Sequence, residues 1–174
     1  MSVVLIAALA RHPFSLEHNV LGANGEIPWR IKEDFKRFRG LTLGHPVIMG
    51  RVTYEGIFDK LKSPLDGRTN IVMTRLTDLD GKYKAGNVLV AHSVNQALDL
   101  ARRTEGSERV YVAGGERVYK DFMQIADELD ITEVHRVVCG DVFFPEISSE
   151  IWNLASREDK EGYSFVSYVR ALKG

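Results

Sequence analysis

The chain has 174 residues, of which 44% are hydrophobic and 27% charged, as expected for one soluble globular domain with a core of its own. Its formal net charge of −1 gives no reason to expect nucleic acid or an anionic membrane as a partner. One cysteine excludes an internal disulfide, the histidine spacing indicates no metal site, and no stretch is long enough to span a bilayer. We therefore expect a cytoplasmic protein, monomeric by default, in which Cys139 is a small core residue.

Short apolar runs alternate with segments of helical periodicity along the chain. The predicted strands are Val3–Leu9, Pro46–Met49, Thr69–Met73, Val88–Ala91, Arg109–Ala113, Ile131–Val138 and Tyr163–Val169. The predicted helices are Ile31–Arg39, Thr53–Lys60, Val94–Arg103 and Arg117–Ile125. This alternation predicts a three-layer α/β fold with a mixed, mostly parallel central sheet and an antiparallel C-terminal edge. With no linker or repeat in view, we expect a single domain over 1–174.

Turn and capping signals refine this outline. Ser93 and Gln96 have the spacing of a capping box in front of the third helix. Two segments, Arg11–Gly25 and Phe58–Gly67, are long, polar or rich in turn residues, and are predicted to be loops.

The stretch that follows Gly25 places a carboxylate on an apolar helix face. Pro28 suits the first turn of a helix, where its missing N–H needs no partner. Helical spacing then puts Ile31, Asp34, Phe35 and Phe38 on one face, which should be buried. A buried acid costs free energy unless it is paired or neutralised, so Asp34 is either a satisfied structural group or a functional one.

Three predicted strands end in groups suited to phosphate. The groups are Gly50, Arg51, Val52 and Thr53 after the second strand, Thr74 and Arg75 after the third, and Gly114 and Gly115 after the fifth. Ligands of open α/β sheets bind at the carboxyl ends of strands, and helix N-termini there attract anions. Two arginines would favour the 2′-phosphate of NADP over NAD. Read one by one, the same residues could be a helix cap, a turn and solvated surface side chains.

Seven ordered segments together resemble the dihydrofolate reductase family over nearly the whole chain. They are Leu5–Ala10, Leu21–Trp29, Asp34–Phe38, Pro46–Glu55, Leu65–Val72, Ala113–Tyr119 and Gly140–Pro145. The resemblance implies NADPH-dependent reduction of 7,8-dihydrofolate to tetrahydrofolate, by hydride transfer from nicotinamide C4 to pterin C6 and protonation at N5. The small-molecule substrate and NADPH are the expected partners.

The resemblance also implies roles on the substrate side. Asp34 matches the carboxylate that binds the pterin 2-amino group and N3, Trp29 a tryptophan that orders a nearby water, and Thr132 a threonine bonded to that carboxylate. Arg68 matches the arginine that grips the α-carboxylate of the glutamate tail, a task suited to a planar fork. The pocket lining implied is Ile6, Ala8, Phe35, Phe38, Ile57, Leu65 and Ala113.

On the cofactor side the resemblance implies a larger set and an adenosine-binding subdomain over about 45–104. The set is Ala8, Leu21, Gly22, Gly50, Arg51, Val52, Thr53, Thr74, Arg75, Gly114, Gly115, Glu116, Arg117, Val118 and Tyr119. The Gly114–Gly115 peptide is expected to be cis, as in the family.

Some positions depart from the family pattern. The segment 11–20 is longer than in compact bacterial members, and Ala113 stands where a larger aliphatic residue is usual. Two other functions stay open: a pyrimidine reductase of riboflavin synthesis, which shares the fold and NADPH, and a non-catalytic NADPH-binding protein. The first lacks the pairing of Trp29 with Asp34, and intact Asp34, Thr132 and Arg68 argue against the second.

Overall fold

The computed structural model describes residues 1–15, 18–77, 81–83 and 85–171, which form one sheet with helices against both faces. The strands are β1 (Ser2–Arg11), β2 (His18–Gly22), β3 (Val47–Gly50), β4 (Asn70–Met73), β5 (Val88–Ala91), β6 (Arg109–Val112), β7 (Glu128–Val137), β8 (Val142–Phe143), β9 (Trp152–Lys160) and β10 (Tyr163–Arg170). The helices are α1 (Lys32–Thr42), α2 (Arg51–Leu61), α3 (Val94–Arg102) and α4 (Glu116–Met123). Parts of the predicted loop 11–25, at 16 and 17, and of the predicted domain, at 78–80, 84 and 172–174, lie outside the described residues.

The strand order is β5-β4-β3-β6-β1-β7-β10-β9. Every pair from β5 to β7 is parallel, whereas β10 runs antiparallel to both β7 and β9. The mixed, mostly parallel sheet is thus confirmed, as is the antiparallel C-terminal side. The outermost strand is β9, which the sequence did not predict, and β10 lies inside it. A short extension forms where β2 pairs antiparallel with β1 and with β8.

Alternation along β1 shows why the molecule has three layers. Successive side chains of a strand point to opposite faces. Val3, Leu5 and Leu9 pack in a cluster with side chains of α3 and α4, whereas Val4 and Ile6 pack in a second cluster with side chains of α1 and α2. Both faces of β1 are therefore buried, which explains its continuous apolar sequence.

Several local predictions need correction. Pro28 lies before α1, which begins only at Lys32 with Ile31 as its extended N-cap residue. Thr53 does not cap α2, because β3 runs directly into that helix through Gly50 and Thr53 is already in its first turn. Cys139 is exposed, since the chain has left the sheet at the end of β7.

The predicted loops and the capping box fare differently. The segment 11–25 contains β2, which is short and polar but gains a ladder on β1. Ser93 does cap α3, where its Oγ accepts from the backbone N of Gln96 at 3.1 Å. The Gln96 side chain reaches back one residue further than a capping box requires, and its Oε1 accepts from the backbone N of His92 at 2.8 Å.

Parallel strands bring the predicted phosphate groups to one edge of the sheet. The carboxyl ends of β3, β4 and β6 meet there, and both α2 and α4 begin at that edge. The backbone N of Gly50 donates to the carbonyl of Gly114 at 2.7 Å, which joins two of these strand ends directly.

Candidate active site

The Asp34 side chain is hydrogen-bonded to a threonine of the sheet. Thr132 is opposite Ala8 in the parallel register of β1 and β7, so its side chain lies on the sheet face that α1 covers. Its Oγ1 donates to Asp34 Oδ1 at 2.6 Å, across 98 residues of sequence. Thr132 is buried and Asp34 is half-buried in the first turn of α1.

The electrostatics of Asp34 oppose its charged form. Burial raises the pKa of the Asp34 carboxyl above its ordinary value; the Thr132 hydrogen bond and the charge of Arg37 act the other way, and Asp130 adds to the rise. Trp29 is buried in a small hydrophobic cluster, and the partly buried Ala8 packs against that cluster. A carboxyl in this setting can bind a cationic or hydrogen-bond-donating group that replaces lost water.

The predicted pocket lining falls mostly together. Ile6 and Leu65 are buried in one cluster, against which Phe38, Ile57 and Ala113 are packed. Phe35 is different: it is 54% exposed and belongs to none of the clusters, so its predicted burial is wrong. Asp34 and Phe35 lie at the two edges of the predicted face, because neighbouring residues are about 100° apart around a helix, and the edge that carries Phe35 is not covered by the rest of the protein.

Arg68 is buried at the other end of this face. Its Nε donates to the carbonyl of Asp66 at 2.9 Å and its Nη1 to Thr42 Oγ1 at 3.1 Å. Burial lowers the pKa of the guanidinium, as does the nearby charge of Arg39, without removing its proton in the physiological range. A fixed, desolvated guanidinium of this kind is suited to a carboxylate ligand.

Asn70, whose role the sequence did not reveal, holds the loop that carries Arg68. This buried side chain accepts from the backbone N of Leu65 at 3.0 Å and donates to the carbonyls of Leu65 and Arg68 at 3.0 and 3.1 Å. A polar residue opening an apolar strand is the one signal that could have pointed to it.

Glycines form a close-packed cradle at the ends of β3 and β6. A Cβ on Gly50 would lie 3.2 Å from Val118 Cγ2, and one on Gly115 would lie 3.3 Å from Thr53 Oγ1. Gly114 has φ +104°, and its Cβ would lie 3.0 Å from the Tyr119 ring. The Gly114–Gly115 peptide is cis, as expected.

Both helices that start at this cradle leave their first N–H groups without a side-chain cap. Gly50 is the N-cap residue of α2 and Gly115 that of α4, and neither has a capping side chain. Two adjoining helix N-termini favour an anionic group. Tyr119 closes the inner side, where its hydroxyl donates to the carbonyl of Ile6 at 2.7 Å.

The other predicted cofactor residues surround this edge more loosely. Arg51 pairs with Glu55 at 2.8 Å, and Glu116 pairs with Lys120 at 2.5 Å. Thr74 directly follows β4, and its carbonyl contacts His92 Nδ1 at 2.8 Å. Val52 and Arg75 are exposed, and Arg117 pairs with Asp121. Leu21 and Gly22 lie on β2, and Leu21 packs against the cluster formed with α3 and α4.

The described part of the chain offers neither a metal site nor a membrane-spanning helix. No group of three or more His, Cys, Asp or Glu side chains there could hold a metal ion. None of the helices described is long and apolar enough to cross a membrane.

Comparison with known proteins agrees with this geometry. The sequence profile of the dihydrofolate reductase family matches residues 3–170. Dihydrofolate reductase HdrB of Haloferax volcanii is 40% identical and aligns over 96% of this chain and 82% of its own, and the enzyme of Neisseria meningitidis serogroup B is 40% identical over 98% and 99%. A solved structure of dihydrofolate reductase from Enterococcus faecalis, complexed with NADP(H) and RAB-propyl, superposes with a TM-score of 0.78 at 31% identity, covering 97% of this chain and 96% of that one. The chain therefore belongs to the dihydrofolate reductase family.

Proposed function

We propose that this protein catalyses the NADPH-dependent reduction of 7,8-dihydrofolate to 5,6,7,8-tetrahydrofolate. The observation that carries the proposal is the half-buried Asp34 carboxylate, which accepts a hydrogen bond from Thr132 at 2.6 Å on the sheet face that α1 covers. The family match and the NADP(H) bound to the Enterococcus faecalis relative support it.

On the substrate side, Asp34 would bind the pterin 2-amino group and N3, with Thr132 orienting the carboxylate. A ring that donates two hydrogen bonds offsets the desolvation that raises the pKa of Asp34. Trp29 would order a water beside this carboxylate. The apolar pocket wall would be formed by Ile6, Ala8, Phe35, Phe38, Ile57, Leu65 and Ala113.

Arg68 would bind the α-carboxylate of the substrate's glutamate tail. Its guanidinium is already oriented by Thr42 and by the carbonyl of Asp66, so little side-chain entropy would be lost on binding.

On the cofactor side, the cradle suits a pyrophosphate, because the uncapped N-termini of α2 and α4 adjoin there at Gly50 and Gly115, where no side chain stands between a ligand and the backbone N–H groups. Arg51, Thr74 and Arg75 would hold the adenosine phosphates and Tyr119 would border the nicotinamide. The other contacts would come from Ala8, Leu21, Gly22, Val52, Thr53, Glu116, Arg117 and Val118. Bound NADPH supplies the hydride that reduces the pterin at C6.

The proton that completes the reaction goes to pterin N5. The negative charge of Asp34 would raise the basicity of the bound ring, and water would deliver the proton. The apolar wall excludes bulk water from the rest of the ring, which keeps this electrostatic effect strong.

The proposal also covers the subdomain boundaries, the localisation and oligomeric state, and the binding partners of the protein. The adenosine-binding subdomain would span about 45–104. The protein would act as a cytoplasmic monomer, which size-exclusion chromatography and cell fractionation would test. It would not bind nucleic acid, as its net charge of −1 suggests.

The direct test mixes purified protein with NADPH and dihydrofolate and follows the loss of NADPH absorbance, with methotrexate in a parallel sample. A decline that methotrexate stops is the expected result. No decline, with NADPH binding still visible by fluorescence, would contradict the proposal and leave a non-catalytic NADPH-binding protein. A decline only with a pyrimidine substrate would favour the riboflavin-pathway reductase.

A further inference from the structure

Next to the contact between Asp34 and Thr132, a second polar bridge joins the same helix to the same strand. Arg37 lies one turn after Asp34 on α1 and forms a two-pronged ion pair with Asp130 on β7. Its Nη2 donates to Asp130 Oδ2 at 2.9 Å and its Nη1 to Oδ1.

The spacing of the two bridges fits the geometry of both elements. Residues two apart on a strand share a face, so Asp130 and Thr132 point the same way, and residues three apart on a helix are neighbours, so Asp34 and Arg37 do too. The helix is thereby fixed to the strand at two points, which sets both its rotation and its height.

The ion pair is also protected from solvent. Asp130 is only 9% exposed, and the Arg37 guanidinium lies 4.7 Å from the centroid of the Phe165 ring on β10. Phe165 is opposite Thr132 in the register of β10 and β7. Arg37, which stacks on Phe165, and Thr132 therefore lie next to each other on the same face of the sheet. A pair in this environment is screened little by salt.

Both members of the pair act electrostatically on Asp34, with opposite sign. Arg37 on its own helix stabilises the carboxylate and Asp130 on β7 destabilises it. The buried Tyr119 phenol faces it from α4 and stays neutral, because burial raises its pKa far above the physiological range. Thr132 contributes a hydrogen bond and no charge.

We propose that Arg37 and Asp130 are positioning residues, which as a closed ion pair hold α1 where Thr132 reaches Asp34 and present almost no net charge to that carboxylate. The inference deepens the proposed function and rests on it only in treating Asp34 as the substrate-binding group. It extends the site to two residues 93 positions apart that belong neither to the proposed pocket wall nor to the glycine cradle.

The pair predicts shifts of opposite sign. In Arg37→Met the Asp130 charge is left uncompensated and disfavours ionised Asp34, so the midpoint of Asp34 titration rises. In Asp130→Asn the Arg37 charge is left alone and the midpoint falls. We expect about half a pH unit or more in each direction, the effect of one unit charge close to a partly buried carboxylate.

The test titrates the full-length, ligand-free protein by NMR of carbon-13-labelled aspartate, with the Asp34 signal assigned from Asp34→Asn. The double variant R37M/D130N should titrate near the wild-type midpoint yet reduce kcat/KM for dihydrofolate, because the bridge is lost without a charge remaining. Arg37→Lys keeps the charge and should keep the midpoint. Arg39→Met, an exposed residue of the same helix, is the matched control and should shift nothing.

Midpoints that move in the same direction in both single variants, or in neither, would overturn the inference and leave a pair that only stabilises packing. If Arg37→Met does not fold, the downward shift of D130N and its reversal in the double variant carry the same test. If the Asp34 midpoints move as expected while the pH profile of dihydrofolate reduction does not follow them, the positioning role holds and the proposed role of Asp34 in the reaction fails.

Discussion

At the scale of single residues, the folded structure favours the neutral form of the Asp34 carboxyl over its charged form. Burial raises its pKa, so the folded chain binds the proton more tightly than the unfolded chain does. This favourable contribution is complete below the ordinary value of 3.8 and is lost as pH rises through the folded value. We therefore expect Asp34→Asn to stabilise the ligand-free protein at neutral pH, by about 1–2 kcal/mol, with the gain vanishing in acid. Urea denaturation at several pH values measures it.

The same variant should lose activity where it gains stability. The neutral amide cannot raise the basicity of the bound pterin, so we expect kcat/KM to fall about 100-fold or more at neutral pH, with relative recovery in acid, where the substrate is more often protonated. Full activity at neutral pH would refute the role of Asp34, and unchanged stability would refute the electrostatic account.

Arg68 offers a test of the substrate tail alone. We expect Arg68→Leu to raise KM for dihydrofolate about 10- to 100-fold, the loss of one charge-assisted pair, with little effect on NADPH binding. Steady-state kinetics with each ligand varied in turn measures this. Arg39→Leu removes a nearby exposed charge and should change KM by less than about three-fold. Equal losses for both ligands in Arg68→Leu would indicate a general structural effect instead.

Some site residues are predictable from sequence and others are not, for physical reasons. Asp34 is predictable because a carboxylate in an apolar stripe is anomalous locally. The contact with Thr132 needs the register of β1 and β7, and the Arg37–Asp130 pair needs the height of α1 on that strand, neither of which periodicity encodes. Phe35 shares the predicted face and is nevertheless exposed, because helical spacing does not show how much of a face the rest of the protein covers.

At the scale of elements, the turn from β6 into α4 depends on Gly114. An alanine there would place a Cβ at φ +104°, which L residues rarely adopt, and 3.0 Å from the ring of Tyr119. That ring is buried and tied to the Ile6 carbonyl at 2.7 Å, so it cannot yield cheaply. We expect Gly114→Ala to cost about 2–4 kcal/mol of stability and to weaken NADPH binding.

The matched control for this prediction is Gly56→Ala in α2. Gly56 is exposed, and a Cβ there would meet nothing within 4 Å, so the helix should gain about 0.5–1 kcal/mol from the better propensity of alanine. Urea denaturation of both variants checks the pair. A neutral Gly114→Ala would show that the turn adapts to a side chain.

The longest strand missing from the sequence prediction is β9. β9 has a buried tryptophan at its start and then an exposed, charged sequence, as befits the outer edge of a sheet. This strand is held by its pairing with β10, and its sequence lacks the alternation of apolar and polar residues from which a strand can be predicted. The inner strands are predictable from sequence because a strand that is buried on both faces needs a continuous run of apolar residues.

At the scale of the whole molecule, the parallel sheet brings two separate half-sites to neighbouring positions. In the proposed function the substrate half would use α1, β7 and the loop before β4, whereas the cofactor half would use the ends of β3, β4 and β6 with the starts of α2 and α4. The cradle around Gly114 and Tyr119 adjoins the proposed substrate half, because the Tyr119 hydroxyl donates to the carbonyl of Ile6. The two ligands should therefore stabilise the fold through largely independent residues.

Thermal denaturation with one ligand at a time tests this independence. NADPH at about 100 times its Kd should stabilise the wild type by about 2.7 kcal/mol, and Asp34→Asn should show nearly the same gain. Arg75→Leu, which changes an exposed residue, should lose at least about 1.4 kcal/mol of that gain, a tenfold weaker affinity, if Arg75 contacts a cofactor phosphate. With methotrexate as the only ligand the order should reverse: Asp34→Asn loses most of the stabilisation and Arg75→Leu keeps it. Loss of both effects in either variant would contradict the division into half-sites, because it would mean that each ligand depends on residues assigned to the other.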